Sequence, residues 1–551
     1  MLKYIYLACW GDGLETYLLM AATVIFACVI FNKISNKLGI PALLAFILLG
    51  MFFGSDGIVK IPFDNYEFTQ QICTVALLFI MFYGGFGTKW SEAKPVVSKS
   101  VLLSSLGTVI TAGLVGLFCY YVLDVPVLEG LLIGSVISST DAASVFAILR
   151  SKRLNLKYNT ASLLEIESGS NDPFAYMLTV VVLSVMNGRS ASGNIVYMTF
   201  AQVAFGVFFG VLIAMLTLVF LKRYKFVSVG YDAIFIVAIA VVSYAVPSFF
   251  GGNGYLSTYI TGIILGNRNI ENKQHLAHFF DVMTGFMQML LFFLLGLLSF
   301  PSHLPEVAIN GLLIALFLTF VARPVSVFAI LTPFKSKLNQ QVLVSWAGMR
   351  GAASIVFAII AVINPALVST DIFHIVFFIV LFSILLQGSL LPWVSKKLDM
   401  IDNKTDVMKT FNDYVDEVPV QFIQLSIKAG HPWESKKISE IVLPPDSILV
   451  LLIRDGVKIV PNGHTLLLAG DILALSGKTM DQIDGVNLYE KEIKEYDGLA
   501  GKKIYQLPVG EKLIIMIKRG DKVIIPRGST ELEIGDLLVV NDAKMHRSLT
   551  E

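Results

Sequence analysis

Two carboxylates stand within a long apolar segment, in the motif ESGSNDP at residues 167–173. The surrounding run, about 161–187, is long enough to cross the roughly 30 Å of hydrocarbon in a bilayer. An ionised carboxylate at that depth costs at least about 2.5 kcal/mol, so such residues usually mark an ion or proton pathway. Oxygen ligands suit a hard cation, and one carboxylate can hold a cation and a proton in turn. Asp172 is therefore the candidate exchangeable group.

Two arginines, Arg323 and Arg350, also fall inside apolar segments. A buried arginine is as costly as a buried carboxylate unless the two pair. We expect Glu167 to pair with Arg350, either to fasten two helices together or as part of ion coordination. Arg323 precedes Pro324, and it is expected to neutralise a carboxylate or to bond the carbonyl groups that a proline leaves free.

The composition places these residues in a membrane protein with a separate tail. The chain has 551 residues, of which 55% are hydrophobic and 15% charged, and its mean hydropathy is +0.72. Apolar runs recur up to Lys397 and cease after Leu398, which predicts a polytopic all-α region followed by a soluble one. The net charge of +1 gives no sign of nucleic-acid binding. The four cysteines lack metal-ligand spacing, so packing is the expected role.

Apolar runs predict thirteen spans. They are roughly 14–31, 40–54, 71–88, 100–122, 127–149, 161–187, 197–221, 231–250, 253–267, 279–299, 305–331, 341–363 and 371–394. Alternate connections carry 18 Lys and Arg residues, whereas the intervening ones and the N-terminus hold 3. Because Lys and Arg collect on the cytoplasmic side, this alternation predicts an external N-terminus and a cytosolic C-terminal region.

Two of the predicted spans share a short pattern. Residues 142–148 read AASVFAI in the fifth span, and residues 352–359 read AASIVFAI in the twelfth. Spans seven apart are equivalent positions of two six-span repeats with opposite topology, which predicts interrupted helices 5 and 12 that cross at the midplane. Packing by small residues is the alternative explanation. Asp141 suits the positive helix N-termini at such a crossing and Arg350 the negative C-termini, so dipole compensation is an alternative to a ligand role.

Three segments now carry a family resemblance: Ser-Thr-Asp at 139–141, ESGSNDP at 167–173 and Gly-Met-Arg-Gly-Ala at 348–352. They resemble the signatures of bacterial and archaeal monovalent cation/proton antiporters of the sodium/proton-exchanger type, over residues 14–397. The resemblance implies that Asp172 binds cation and proton in turn and that Asn171 steadies the site. The implied cation ligands are Asp172, Ser168, Glu167 and the backbone of Thr140.

The resemblance also implies an electroneutral one-for-one cycle, because the motif has one aspartate where some relatives have two. Titration of Glu167 is an open alternative.

We expect a homodimer, surrounded by lipid in the cell inner membrane, that needs no cofactor and catalyses no covalent reaction. The expected domain boundaries are a transmembrane domain at 1–397 and a linker at 398–416.

The tail contains a second repeat, at an offset of 65 residues. Arg454, Pro461 and Asp471 correspond to Arg519, Pro526 and Asp536 in a strand, turn and strand pattern. Two small α/β units follow, at 417–480 and 490–551. Both resemble the C-terminal ligand-binding lobe of potassium-conductance regulators, which implies a small regulatory ligand, of nucleotide type in some relatives. A folded cap that aids assembly is the alternative.

The leading hypothesis is therefore an antiporter of K⁺, favoured over Na⁺, for protons, regulated by its tail. A Na⁺/H⁺ antiporter and a ligand-gated cation channel are the alternatives, although a channel would need a filter that no Thr-Val-Gly-Tyr-Gly-like segment supplies. A membrane sensor that moves no ion is a third class.

Overall fold

The fold was established from a computed structural model. It describes residues 14–38, 42–152, 154–188, 192–224, 230–268, 270, 272–364, 369–402, 420–443, 447–454, 457–478, 488–493, 499–507, 512–519, 522–524, 526 and 528–542. Most of the expected linker, the tail turns at 455–456 and 520–521, and Cys9 lie outside these residues.

Each of the thirteen predicted spans is helical within the described residues. In span order, the helices are Leu14–Leu38; Ala42–Phe53; Tyr66–Gly87; Val97–Leu102 continuing through Leu103–Gly107 and Thr108–Leu123; Val127–Val136 and Ala142–Ser151; Thr160–Met186; Ser192–Arg223; Tyr231–Phe249; Gly254–Gly266; Lys273–Leu298; Leu304–Phe317 continuing through Leu318–Ala322 and Arg323–Leu331; Leu338–Trp346 and Ala352–Ile363; and Ile372–Phe382 continuing through Ser383–Gly388 and Ser389–Lys397. A short helix, Trp90–Ala93, lies between the third and fourth spans. The predicted polytopic all-α architecture is confirmed.

Seven described helices are long and apolar enough, by length and composition, to cross a membrane. The sixth span, Thr160–Met186, is not among them although it has 27 residues. It carries Glu165, Glu167 and Asp172, which make it the most acidic of the long helices. The fifth and twelfth spans fall short for a different reason, because each is two short helices.

The interruptions lie where the repeat predicts them. Residues 137–141 of the fifth span and 347–351 of the twelfth leave the helical conformation. The two unwound segments meet directly, since the backbone N–H of Asp141 donates to the carbonyl oxygen of Met349 at 2.8 Å. The expectation of crossed, discontinuous helices 5 and 12 is confirmed.

In the part of the chain that the structure describes, three spans contain a π-helical turn, in which the backbone hydrogen bonds run to the fifth residue. The turns are Leu103–Gly107 in the fourth span, Leu318–Ala322 in the eleventh and Ser383–Gly388 in the thirteenth. The fourth and eleventh spans are equivalent in the two repeats. They also contact each other, because Thr111 Oγ1 donates to Ser326 Oγ at 3.2 Å. Two of the three turns thus occupy equivalent spans of the internal repeat, whereas the turn in the thirteenth span has no counterpart in the sixth, which is a continuous α-helix.

The chain divides into two units, Met1–Asp416 and Glu417–Glu551. Residues at the start of the expected linker belong to the membrane unit: Ile401 bridges Leu156, and the N–H of Asp402 donates to Asn155 O at 2.9 Å. The remainder of that linker, 403–416, lies outside the described residues.

The described residues of the tail form two similar antiparallel sheets. The strands are β1 Val420–Ser426, β2 Ser447–Arg454, β3 Val457–Ile459, β4 Ile472–Lys478, β5 Leu488–Glu492, β6 Lys512–Arg519, β7 Lys522–Ile524 and β8 Leu537–Asp542. Their orders are β1-β4-β2-β3 and β5-β8-β6-β7. The sheets even share a register shift, at Leu449/Leu451 and at Ile514/Met516. Among the described residues, a 3-10 helix accompanies each sheet, Ile438–Glu440 the first and Ile504–Gln506 the second.

The repeated charges of the tail form equivalent ion pairs. Arg454 Nη2 lies 2.7 Å from Asp471 Oδ2, and Arg519 Nε lies 2.7 Å from Asp536 Oδ1. Hydrogen bonds from these arginines lower the pKa of both aspartates. Each pair joins a strand end to the Gly-Asp turn before the next strand, which explains why these residues recur at the same offset.

Candidate functional site

The unwound part of the fifth span is bonded to the sixth span by side chains of the ESGSNDP motif. Asn171 Nδ2 donates to Thr140 Oγ1 at 2.6 Å, and Ser168 Oγ donates to the carbonyl oxygen of Thr140 at 2.6 Å. The backbone N–H of Thr140 donates to Asn171 Oδ1 at 3.3 Å. These contacts satisfy backbone groups that helix interruption leaves without partners.

Asp172 lies beside this crossing and is 6% exposed. Ser139 Oγ, from the unwound segment, donates a hydrogen bond to Asp172 Oδ1. Ser168 precedes Asp172 by four residues and so shares its face of the helix. A carboxylate, two hydroxyls and a peptide carbonyl thus converge, which is the oxygen-rich donor set that a hard cation prefers.

The sixth span remains a continuous helix through Pro173, and neighbouring groups adapt to it. The side chain of Asn253, which also caps the ninth span, donates to the carbonyl oxygen of Pro173 at 2.7 Å. Tyr259 of the ninth span lies so close to Gly169 that a Cβ there would stand 2.5 Å from the ring. Glycine is therefore required at 169 for the close approach of the two spans.

A cavity of about 390 Å³ reaches the site from one side. Its lining includes Ser139, Thr140, Ser168 and Asp172, and extends to residues near the basic ends of the third and tenth spans, Tyr83, Gly87, Asp281 and Thr284. In the other direction, Tyr176 stacks edge-on against Tyr255 at 5.1 Å and lies 5.9 Å from Phe357 between ring centroids. Asp172 is thus approached by the cavity from the side of the basic loops, and aromatic rings pack one turn beyond it.

Glu167 has a different partner from the one expected. Its Oε1 lies 2.6 Å from Arg323 Nη1, and both side chains are at least 96% buried. The predicted pairing with Arg350 is therefore wrong, and the expectation that Arg323 neutralises a carboxylate is confirmed. Glu167 precedes Ser168 and points to another face of the helix, away from the described cavity lining. The contacts favour a structural ion pair over a cation ligand.

Arg350 is 1% exposed and contacts the crossing itself. Its Nη1 donates to the carbonyl oxygen of Ser139 at 2.8 Å, close to the C-terminal end of the first half of the fifth span. This is the position where a cation compensates a helix dipole. Arg350 thereby holds the residue whose hydroxyl contacts Asp172.

Asp141 begins the second half of the fifth span. Its Oδ1 accepts a hydrogen bond from the backbone N–H of Ser144 at 3.2 Å, which is an N-cap contact. Gly351, at the start of the second half of the twelfth span, would carry a Cβ only 2.4 Å from Asp141 Cβ. The carboxylate therefore lies at the N-termini of both half-helices, as the dipole hypothesis requires.

The roles of several site residues were not predicted from the sequence. Ser139 belongs to the Ser-Thr-Asp segment, but its residue type alone indicates no role, and nothing in the sequence marks Asn253 or Tyr259. Asp281 had one, since it is a carboxylate inside the predicted tenth span, and the structure places it in the cavity with a 2.9 Å hydrogen bond from Tyr83. Glu165 also lines the cavity, and its place within the sixth span was a comparable signal.

One group of side chains elsewhere has metal-ligand character: ligand atoms of His303, Asp371 and His374 lie within 4.8 Å of one another. Both nitrogens of His374 are already engaged, because Nδ1 lies 2.7 Å from Asp371 Oδ2 and Nε2 accepts from the N–H of Phe300 at 3.2 Å. The group therefore joins two loops. The described cysteines, Cys28, Cys73 and Cys119, are buried and free, consistent with packing.

Crossed broken helices with a buried aspartate beside them, reached by a cavity from one side, define a secondary transporter of the inverted-repeat class. The family model for the sodium/hydrogen exchanger, transmembrane, matches residues 21–397. The chain belongs to the sodium/hydrogen exchanger family. The model of the TrkA-C domain matches residues 422–482 of the tail.

Similar proteins cover most of the chain. It is 29% identical to the K(+)/H(+) antiporter NhaP2 of Shewanella sp. (strain ANA-3), over 88% of this chain and 85% of that protein. It is 31% identical to the K(+)/H(+) antiporter NhaP of Alkalimonas amylolytica, over 81% of this chain and 78% of that protein. The structure of the sodium proton antiporter MjNhaP1 from Methanocaldococcus jannaschii matches with a TM-score of 0.61 and 26% identity, covering 69% of this chain and 99% of that one.

Proposed function

We propose that this protein is an antiporter that exchanges a monovalent cation, K⁺ in preference to Na⁺, for protons, with Asp172 as the shared binding group. The observation that carries the proposal is the position of Asp172: buried at the helix crossing, bonded by Ser139 and open to a cavity on one side. Membership of the sodium/hydrogen exchanger family agrees with it.

The exchange follows from competition for one carboxylate. Protonated Asp172 releases its proton to the cavity as a cation binds, and the carboxylate then holds the cation with oxygens of Ser168, Ser139 and Thr140. A change of access carries the loaded site to the other side, where a proton displaces the cation. One carboxylate carries one positive charge in each direction, so the cycle is electroneutral. No covalent step is needed.

The preference for potassium rests on the tail and on similar proteins. The TrkA-C match and the two relatives named K(+)/H(+) antiporters favour K⁺. The match to a sodium proton antiporter makes Na⁺ the second candidate. A pure channel is disfavoured because aromatic rings pack beyond Asp172 while the cavity approaches it from the other side.

We place the protein in the cytoplasmic membrane with its N-terminus outside and its tail in the cytosol, following the distribution of Lys and Arg. In this orientation the cavity opens towards the cytosol, so the conformation is inward-facing.

We further propose a homodimer, and a small ligand of nucleotide type that acts on the tail. Such a ligand alters transport only through different affinities for the two access states.

The test is exchange in proteoliposomes containing a pH-sensitive dye. An outward or inward pH gradient is imposed, and Li⁺, Na⁺, K⁺ or Rb⁺ is added as the chloride. We expect dye dequenching in both directions, with K⁺ half-saturating at the lowest concentration. A current driven by voltage without proton movement would establish a channel, and the absence of flux with every cation would establish a sensor.

A further inference from the structure

The second repeat contains an electrically neutral counterpart of the cation site. In the first repeat, the unwound Thr140 donates its backbone N–H to Asn171 of the sixth span. In the second repeat, the unwound Arg350 donates its backbone N–H to Ser383 Oγ of the thirteenth span, at 3.0 Å. Thr140 and Arg350 are 210 residues apart, as are the two Ala-Ala-Ser segments, and Asn171 and Ser383 are 212 apart. The internal repeat makes the two contacts equivalent.

Ser383 begins a buried chain of hydrogen bonds. Its hydroxyl donates to Gln387 Oε1, and Gln387 Nε2 donates to Thr319 Oγ1 at 3.2 Å. Trp346 Nε1 donates to the carbonyl oxygen of Gln387 at 3.2 Å, so the last turn before the unwound segment is attached as well. Ser383, Gln387 and Thr319 are each at least 92% buried. One link, Ser383 to Gln387, lies within the thirteenth span, and the others join that span to the twelfth and the eleventh.

This series of hydrogen bonds runs between two π-helical turns. Ser383 and Gln387 belong to the turn Ser383–Gly388, and Thr319 belongs to the turn Leu318–Ala322. Such turns are rare and frequently occur at functional sites. They interrupt the regular α-helix. Of the buried side chains that they carry, Ser383 bonds the unwound segment of the twelfth span, and Gln387 and Thr319 extend the hydrogen bonds from it.

One end of these hydrogen bonds contacts an arginine of the site, and the other end lies on the same span as a second arginine. At one end Ser383 fixes the backbone of Arg350, whose side chain bonds Ser139 O. At the other end Thr319 precedes Arg323 by four residues, and Arg323 pairs with Glu167. The three side chains do not occur among the described residues that line the cavity. They can therefore affect the cation only through the residues that they hold.

We propose that Ser383, Gln387 and Thr319 are positioning residues for cation exchange, a neutral half-site that fixes Arg350 and, through it, Ser139 against Asp172. This proposal rests on the proposed function and adds to it. A merely structural role would change protein stability and the amount of inserted protein. A positioning role changes the cation concentration at half-saturation, because it alters the geometry of the donors around Asp172.

The decisive variant is Ser383→Ala, compared with Ser383→Thr and with the matched control Ser395→Ala. Ser395 is a buried serine of the same span whose hydroxyl donates to Leu391 O of its own helix. In proteoliposomes loaded with pH dye, we expect Ser383→Ala to raise the half-saturating K⁺ and Na⁺ concentrations by roughly fivefold or more, as for one lost buried hydrogen bond. The maximal rate changes less, Ser383→Thr restores the wild-type value, and Ser395→Ala matches wild type.

Thr319→Val provides a second arm, because valine keeps the shape of threonine and removes only the acceptor for Gln387. We expect a shift in half-saturation in the same direction, and this variant decides the matter if Ser383→Ala does not insert. Half-saturation equal to wild type in an inserted Ser383→Ala or Thr319→Val protein overturns the inference. Absence of exchange in the wild-type protein instead overturns the proposed function, so the two failures are distinct.

Discussion

Asp172 combines two properties that neither the apolar helix nor the polar motif would give it alone. Burial removes it from bulk water, and the unwound fifth span supplies Ser139 as a donor. Asn171, the neighbouring polar residue, is used differently, since its amide bonds both the hydroxyl and the backbone of Thr140. Asn171 therefore fixes the unwound segment, whereas Asp172 is the proposed binding group for the cation and the proton.

This division predicts the effect of neutralising the aspartate. Asp172→Asn should abolish cation/proton exchange while leaving an inserted, folded protein, because asparagine cannot exchange a proton for a cation. Dye-loaded vesicles report the exchange, and size-exclusion chromatography in detergent reports the fold. Asp232→Asn is the matched control: Asp232 is also a buried carboxylate, but it accepts hydrogen bonds from the backbone N–H groups of Gly230 and Ala233 at the start of the eighth span, and its variant should exchange normally. Normal exchange by Asp172→Asn would remove Asp172 from the mechanism.

The Glu167–Arg323 pair makes a separate prediction. Removing either charge leaves the other buried without its partner, which should destabilise the protein by about 3 to 5 kcal/mol. The double variant Glu167→Gln/Arg323→Gln should lose less than the sum of the single losses, measured by thermal unfolding in detergent. Glu167→Gln combined with Arg350→Gln should show weaker coupling. Additive losses for the first pair would mean that the salt bridge contributes nothing to the fold.

At the scale of elements, the crossing of the two broken helices is the central feature. The Ala-Ala-Ser repeat predicted its place, because spans seven apart are equivalent positions of two inverted repeats, whose interrupted helices cross at the midplane. The partner of Glu167 was not predictable in the same way. Two buried arginines were available, and the choice depends on the rotation of the eleventh and twelfth spans about their axes, which spacing along the chain does not encode.

The contacts between the ninth span and the sixth could not be predicted from the sequence either. Tyr259 and Asn253 reach the sixth span from the ninth, through a close approach at Gly169 and a bond to Pro173. The sequence of the ninth span has the residue pattern of any packed membrane helix. Only the tertiary arrangement reveals these contacts, whereas the motif residues on the sixth span were identifiable from their chemistry.

The crossing can be tested by adding one methyl group. Gly351→Ala would place a Cβ 2.4 Å from Asp141 Cβ, so the two unwound segments must separate. Overpacking of this kind typically costs about 1 to 3 kcal/mol, and we expect exchange to fall by about tenfold. Gly113→Ala in the fourth span is the control, because its added Cβ meets nothing within 4 Å. Equal exchange by both variants would show that the close crossing is not required.

At the scale of the whole molecule, the charges that carry transport and the tail belong to separate units. The tail repeat was visible in the sequence, and its Arg–Asp pairs join equivalent strands and turns in both sheets. The sodium/hydrogen exchanger model covers the membrane unit and the TrkA-C model covers the first sheet. We therefore assign transport to the membrane unit and regulation to the tail.

Truncation after Asp402 tests this assignment at a natural boundary. The cut keeps the contacts of Ile401 and Asp402 with the membrane unit and removes both sheets. The shortened protein should still exchange cations for protons, with a changed dependence on pH or cation concentration, as measured in vesicles. Normal insertion without exchange at any pH would make the tail part of the transport machinery.

The most direct test of the whole account is the cation concentration at half-saturation, measured as a function of pH in dye-loaded proteoliposomes. If cation and proton compete for Asp172, the half-saturating K⁺ concentration rises as the pH falls, approaching about tenfold per pH unit where the site is mostly protonated, with an unchanged maximal rate. The exchange rate should also be insensitive to an imposed membrane potential. A half-saturation that is independent of pH, or a flux that follows the potential, would contradict exchange at a single shared carboxylate.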